Sequence, residues 1–155
     1  MIYKNPYILN SDEYYIWEIL IRNDFEAFCK MDWEMIHNDF IKEGFFGIDG
    51  KLSANKLDWC LTYDSLEAYK NDWINQSKEF NKKTFVSNPL DVLYATTKLS
   101  KIEIEANIAL VHKVFNGVFE VANEEPIKLN WISLFILRKV EGNWKIANFT
   151  GYLPK

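Results

Sequence analysis

Residues 128–153 read KLNWISLFILRKV, then EG, then NWKIANFTGYL. Both long segments are rich in β-branched and aromatic residues. Glu141-Gly142 between them has the form of a two-residue hairpin turn. These features predict a strand over 128–140 and a return strand over 143–153. The preceding stretch, KIEIEANIALVHKVFNGVFEV (101–121), alternates in the same way, and NEEP (123–126) supplies a loop. The C-terminal half is therefore expected to be a long antiparallel meander.

Upstream of Pro89 the period changes from two to 3.6. Ser11 is a good N-cap, and Asp12 and Glu13 suit the positive end of a helix dipole. Trp17, Leu20, Ile21, Phe25, Phe28 and Met31 then share one stripe of a helix running to residue 30. Asp32 is placed to cap a second helix, with Trp33, Ile36 and Phe40 inside and Gly44 just past its end. FFGIDG (45–50) reads as a short strand closed by Asp49-Gly50, and KLSANKLDWCLTY (51–63) as a surface loop. A third helix is expected from Asp64, in the capping box Asp64-Ser65-Leu66-Glu67, with Leu66, Tyr69, Trp73 and Phe80 on its apolar face. Together these elements indicate an α+β domain over 1–155: three N-terminal helices packed on a strongly curved antiparallel sheet.

With 155 residues the chain has room for one domain of typical size, and 16% aromatics supply a large core or the lining of an apolar cavity. Lys and Arg are scattered and the net charge is −4, which argues against a nucleic-acid partner. No apolar run reaches the roughly 18 residues of a membrane helix, and MIYKNPYILN lacks the apolar core of a signal peptide. Cys29 and Cys60 have no metal-ligand or C-x-x-C spacing, so both are expected to be reduced thiols of a cytoplasmic protein. No Cys/His cluster, Walker loop, G-x-S-x-G elbow or G-x-G-x-x-G run occurs. Neither a metal nor a cofactor is expected.

The order helix, helix, short strand, helix, long sheet resembles the nuclear transport factor 2-like superfamily. LRKVEGNWKIANF (137–149) is similar to its closing hairpin, AFCKMDWEMIHNDF (27–40) to its early helix-turn-helix, and GYLP (151–154) to the tail of some bacterial members. The resemblance implies a cone-shaped, largely apolar pocket, in which enzyme members place a few acids, Tyr or His. It also implies frequent homodimers through the sheet. It does not imply one activity, because the fold hosts isomerases, hydrolases, polyketide cyclases and non-catalytic modules.

With an unbulged hairpin, Leu134 lies opposite Phe149 and Ile136 opposite Ala147. Leu134, Ala147 and Phe149 then share the pocket face. The resemblance places catalytic acids of the isomerase and epoxide-hydrolase members near Leu134 and Phe149, where this chain is apolar. A one-residue bulge would instead turn Ser133, Asn148 and Thr150 inward.

Asp24 falls near the centre of the first helix's apolar stripe, where a carboxylate needs a partner or a wet cavity. By position it matches a polar first-helix residue of the isomerase members. Asp49 lies within one residue of their general base, although Asp-Gly is also an ordinary turn pair. His37 and His112 read as structural. Trp17 is a candidate wall residue, and Trp59, stranded in a polar segment, a candidate lid. Strand 131–137 is apolar on both faces, so a second copy of the chain is expected to cover the outer one. Three functions follow: a module binding a small, largely apolar ligand near Trp17, Asp24, Trp59, Leu134, Ala147 and Phe149; a polyketide cyclase or isomerase-type enzyme using Asp24 and Asp49; or a dimerisation domain with a filled cone.

Overall fold

The structure, a computed structural model, describes residues 3–155. Met1 and Ile2, the first residues of the N-terminal segment read above for a leader, lie outside them. Six strands form one sheet: β1 (Phe46–Asp49), β2 (Cys60–Tyr63), β3 (Thr97–Glu105), β4 (Ile108–Phe119), β5 (Ile127–Val140) and β6 (Asn143–Leu153). Their spatial order is β2-β1-β6-β5-β4-β3. The meander β3 to β6 is antiparallel throughout, whereas β1 adds to β6 in parallel. Glu141 and Gly142 both have positive φ, at 51° and 81°, the conformation of a tight hairpin turn matched to the twist of its strands.

The first helical run is continuous but not uniform. It comprises α1 (Asp12–Trp17), a π-helical turn (Glu18–Asn23) and α2 (Asp24–Lys30). Ser11 Oγ caps it by accepting from the Tyr14 amide at 3.1 Å. Asp12 Oδ1 accepts from Trp144 Nε1 at 2.9 Å and from Lys139 Nζ at 3.1 Å, which ties the start of the run to the β5–β6 hairpin. The run ends at Met31, in the left-handed conformation.

The helix expected from Asp32 is instead two short 3₁₀ turns, Trp33–Met35 and His37–Asp39. Trp33, Ile36 and Phe40 are buried as the spacing implies. The backbone, however, is drawn to the sheet: Phe40 bridges Ile146, and the Ile41 amide bonds to the Ile146 carbonyl at 3.0 Å. The segment read as a loop over 51–63 ends in strand β2, a short and mostly exposed edge strand with no periodic burial to reveal it. α3 (Leu66–Asn81) is capped by Ser65 rather than Asp64, its Oγ accepting from the Ala68 amide at 3.1 Å. A helix not expected from the sequence, α4 (Pro89–Thr96), follows with Asn88 as cap and Pro89 in its first turn. The helical layer thus consists of the 12–30 run, α3 and α4.

Two irregularities in β6 decide which side chains face the helices. Pairing steps from Ile136–Asn148 to Leu137–Ile146, so Ala147 is an extra residue on β6. A second step separates Leu134–Thr150 from Ile132–Leu153. Each bulge re-aims the side chains beyond it. The concave face therefore carries the odd-numbered residues of β4 and β5, from Ala109 and Leu137 at the packed end to Phe119 and Ile127 at the other. Ile16, Leu20, Ile21, Val111 and Leu137 form the deepest core. Among the described residues no helix is long and apolar enough to cross a membrane.

Candidate functional site

The helices do not fill the concave face. Between α2, α3 and strands β4 to β6 lies a cavity of about 420 Å³, within the size range of small-molecule sites. Its wall is mainly aromatic. Phe25 and Phe28 come from α2, Tyr69, Trp73 and Phe80 from α3, and Phe115, Trp131, Phe135 and Phe149 from the sheet. The rings of this wall pack on one another. Phe28 packs on Trp73 (5.6 Å between centroids) and Phe135 on Phe149 (5.7 Å).

One ion pair lies in this wall. Lys113 points inward from β4, and its Nζ is 3.0 Å from Asp24 Oδ2. It also donates to the Leu20 carbonyl. The Phe25, Phe115 and Phe135 rings stand 4.7, 5.3 and 5.8 Å from Nζ and provide cation–π contacts. The π turn helps make this arrangement. The Asp24 amide bonds to the Ile21 carbonyl, not to Leu20 four residues back, and the Leu20 carbonyl receives the ammonium. Lys113's side chain is 3% exposed and Asp24's 33%, so the carboxylate faces the hollow while the ammonium sits behind it.

Further polar groups line the same space. Ser133 is buried directly opposite Lys113 in register, with no protein hydrogen-bond partner among the described residues. Tyr69 and Tyr152 also line the cavity, and burial raises both phenols, Tyr152 to about 12 and Tyr69 well above its ordinary value. Tyr152 has φ +56°, unusual for a bulky side chain. It is held there by the Leu52 amide, which bonds to its carbonyl at 2.8 Å, and by the Gly50 amide on Gly151. At the α3 side, Tyr63 and Gln76 both donate to Asp72 Oδ2.

Two residues expected at the pocket, Asp24 and Phe149, line it. The others do not. Leu134 and Ala147 belong on the pocket face only in an unbulged hairpin. The extra residue at Ala147 pairs Leu134 with Thr150 and turns Leu134 to the outer face, while Phe135 pairs with Phe149 inside. Of the three residues expected to turn inward with a bulge, Ser133 does; Asn148 and Thr150 face outward beside Ile136 and Leu134. Trp17 is buried core, stacked near Tyr94 (6.3 Å) and beneath the Arg22 guanidinium (4.9 Å). In a regular helix Trp17 and Asp24, seven apart, would share a face; the wider π turn separates them. Trp59 is not a lid: its Nε1 donates to the Ser53 carbonyl at 3.2 Å within its own loop. Asp49 does not line the cavity, and its Oδ1 accepts from the Lys51 amide at 2.7 Å, a turn role.

Lys113 is absent from the candidates that motif and periodicity mark in the sequence. Its signal is a lone cation at an inward position between Val111 and Phe115, in an otherwise apolar alternation. Behind the pair, Asp39 accepts from Asn23 Nδ2 at 3.1 Å, and its carboxyl is pushed above the usual range, chiefly by burial. Burial likewise raises the Cys29 thiol to about 11. Among the described residues no group of three His, Cys, Asp or Glu could hold a metal ion.

No protein-family model and no curated protein matches the chain. Solved structures do. A nuclear transport factor 2-like protein from Shewanella baltica is 15% identical, with 94% of this chain and 95% of that one covered, at a TM-score of 0.55. A domain with a cystatin-like fold from Nostoc punctiforme is 14% identical, covering 93% and 78%, at a TM-score of 0.63. A putative Ca/calmodulin-dependent kinase II association domain from Exiguobacterium sibiricum is 12% identical, covering 94% and 95%, at 0.56. At these identities the likeness concerns architecture alone: the chain has the nuclear transport factor 2-like, cystatin-like fold.

Proposed function

We propose that this protein binds a small, largely apolar ligand in the cone, with the ligand's polar end at Asp24 and Lys113. The observation that carries this reading is the open aromatic cavity of about 420 Å³ with one ion pair in its wall. A ligand there would exchange water-exposed apolar surface for ring contacts, the main driving term for such sites. A filled cone, as a pure dimerisation domain would have, is disfavoured by the same hollow. The enzyme reading loses its second carboxylate, because Asp49 serves a turn outside the cavity. Trp73 and Trp131 line the cavity, so intrinsic fluorescence reports on it. Titration with apolar fluorescence-silent compounds should shift the emission saturably, and Phe149→Trp should reduce the response by filling the space. Non-saturable changes, equal in both proteins, would refute the proposal.

We further propose a homodimer through the outer sheet face. Cross-strand pairs Leu110–Ile136, Val114–Ile132 and His112–Leu134 form a largely apolar strip there, with Phe46 and Ile48 of β1 beyond the polar Asn148 and Thr150 of β6. A second copy would cover this strip with an identical one, as two-fold interfaces do. Light scattering at micromolar concentration should give twice the chain mass, and Leu134→Glu the single mass. The two free cysteines fit a reducing compartment such as the cytoplasm.

A further inference from the structure

We infer that the ligand is uncharged, and that its polar end is a hydroxyl of the alcohol or phenol class, set by the mutual neutralisation of Asp24 and Lys113. This inference rests on the pocket-binding reading above and specifies its chemistry.

A charged group entering an apolar enclosure must shed its water, and only an unpaired opposite charge or several strong hydrogen bonds can offset that. At the Asp24–Lys113 end of the cavity the wall offers no such free charge. Asp24 is matched by Lys113 at 3.0 Å, Glu79 by Lys82 at 2.8 Å, and Lys83 by Glu124 at 3.0 Å. Asp72, on the α3 side, is the one lining carboxylate with no cation partner among the described residues, and Tyr63 and Gln76 donate to one of its oxygens.

What the central pair leaves over is one acceptor and one donor. Asp24 uses Oδ2 for Lys113, and no protein donor reaches its Oδ1 among the described residues. Lys113 gives two of its three N–H groups to the Leu20 carbonyl and Asp24, leaving the third without a protein acceptor among the described residues. Ser133, directly across from Lys113 and also unpartnered, adds a hydroxyl that can donate or accept. A ligand hydroxyl donates to Asp24 Oδ1 and accepts from Lys113 or Ser133, satisfying both. A carboxylate has nothing to donate and faces Asp24's charge. An ammonium has nothing to accept with and faces Lys113's.

The pair therefore acts as a charge selector, and removing either partner should invert the selection. The test is calorimetric titration at neutral pH with four probes sharing one body: naphthalene, naphthol, naphthoate and naphthylmethylamine. In the native protein naphthol should bind at least about tenfold tighter than either charged probe, a difference of one decade in Kd. Asp24→Asn exposes an unmatched ammonium and should move naphthoate to the top of the order. Lys113→Met exposes an unmatched carboxylate and should move naphthylmethylamine there. The double variant, neutral again, should restore the preference for the uncharged probes, and circular dichroism checks that each variant is folded.

Should Asp24→Asn, which strands the enclosed ammonium, not fold, Lys113→Met still decides the matter. Tighter binding of a charged probe by the native protein, or an order unchanged by whichever of the two variants folds, overturns the inference while leaving pocket binding intact. If none of the four probes binds, the pocket reading itself fails and takes this inference with it.

Discussion

Lys113 Nζ and Asp24 Oδ2 lie 3.0 Å apart although 89 residues separate them in sequence, and the two ends of this contact are unequally sheltered. The ammonium is almost wholly enclosed, whereas a third of the carboxylate side chain is open. Asp24→Ala would strand a buried charge, which costs about 3–5 kcal/mol. Lys113→Met would leave a carboxylate that the cavity can hydrate, and the methionine fills most of the vacated space, so its cost should be roughly half as large. Urea denaturation of both variants measures the difference. A larger loss for Lys113→Met would contradict the asymmetry.

Asp39 predicts a pH dependence. Its carboxyl is raised from an ordinary value of 3.8, chiefly by burial, so the folded chain holds the proton more tightly than the unfolded chain. Stability from this group is present below the unfolded value and is lost as pH rises through the folded one. Asp39→Asn removes the titration. Its melting temperature should exceed that of the native protein at neutral pH, and the gap should close as pH falls toward the ordinary carboxylate value. A gap that widens in acid would reverse the assignment.

The thiols should separate cleanly by reactivity. Burial holds Cys29 at about 11, while Cys60 is exposed on the edge strand β2. With limiting iodoacetamide near about pH 8, alkylation should fall on Cys60 and spare Cys29 until the chain is denatured. Peptide mass mapping reads the two sites directly, and equal labelling of the native protein would count against the burial of Cys29.

Gly47 is sterically committed to the cavity wall. A Cβ there would stand 2.6 Å from Phe149 Cε1 and 2.8 Å from Tyr63 Cδ2. Gly47→Ala should therefore destabilise by about 1–3 kcal/mol, as overpacking does. It should also change ligand affinity, because both displaced rings line the hollow. A variant with native melting temperature and native affinity would show that the rings yield freely.

Features encoded by neighbours along the chain are legible in the sequence; those set by partners across space are not. Glu141-Gly142 announces its hairpin because the turn conformation belongs to those two residues. Asn88-Pro89 carries an equally local start signal for α4, in a stretch too short for a full helical period to stand out. The 3₁₀ turns at 33–39 defeat periodicity because β6 claims the backbone at Phe40 and Ile41. The extra residue at Ala147 depends on how β5 meets β6, and no pattern in β6 alone marks it. Asp24 was visible as a carboxylate in an apolar stripe. Its partner could be found only by asking why a lysine stands among inward residues of β4.

The π turn at Glu18–Asn23 holds one more residue than an α turn would. The wider turn absorbs that residue, so excising it would restore a regular helix and leave the residues on either side facing as they do now. The Leu20 carbonyl would return to its own ladder, and Lys113 would keep Asp24 but lose its main-chain acceptor. A one-residue insertion thus works as a spare socket: it frees a main-chain oxygen to seat an ammonium within an apolar wall, without any change to the sheet.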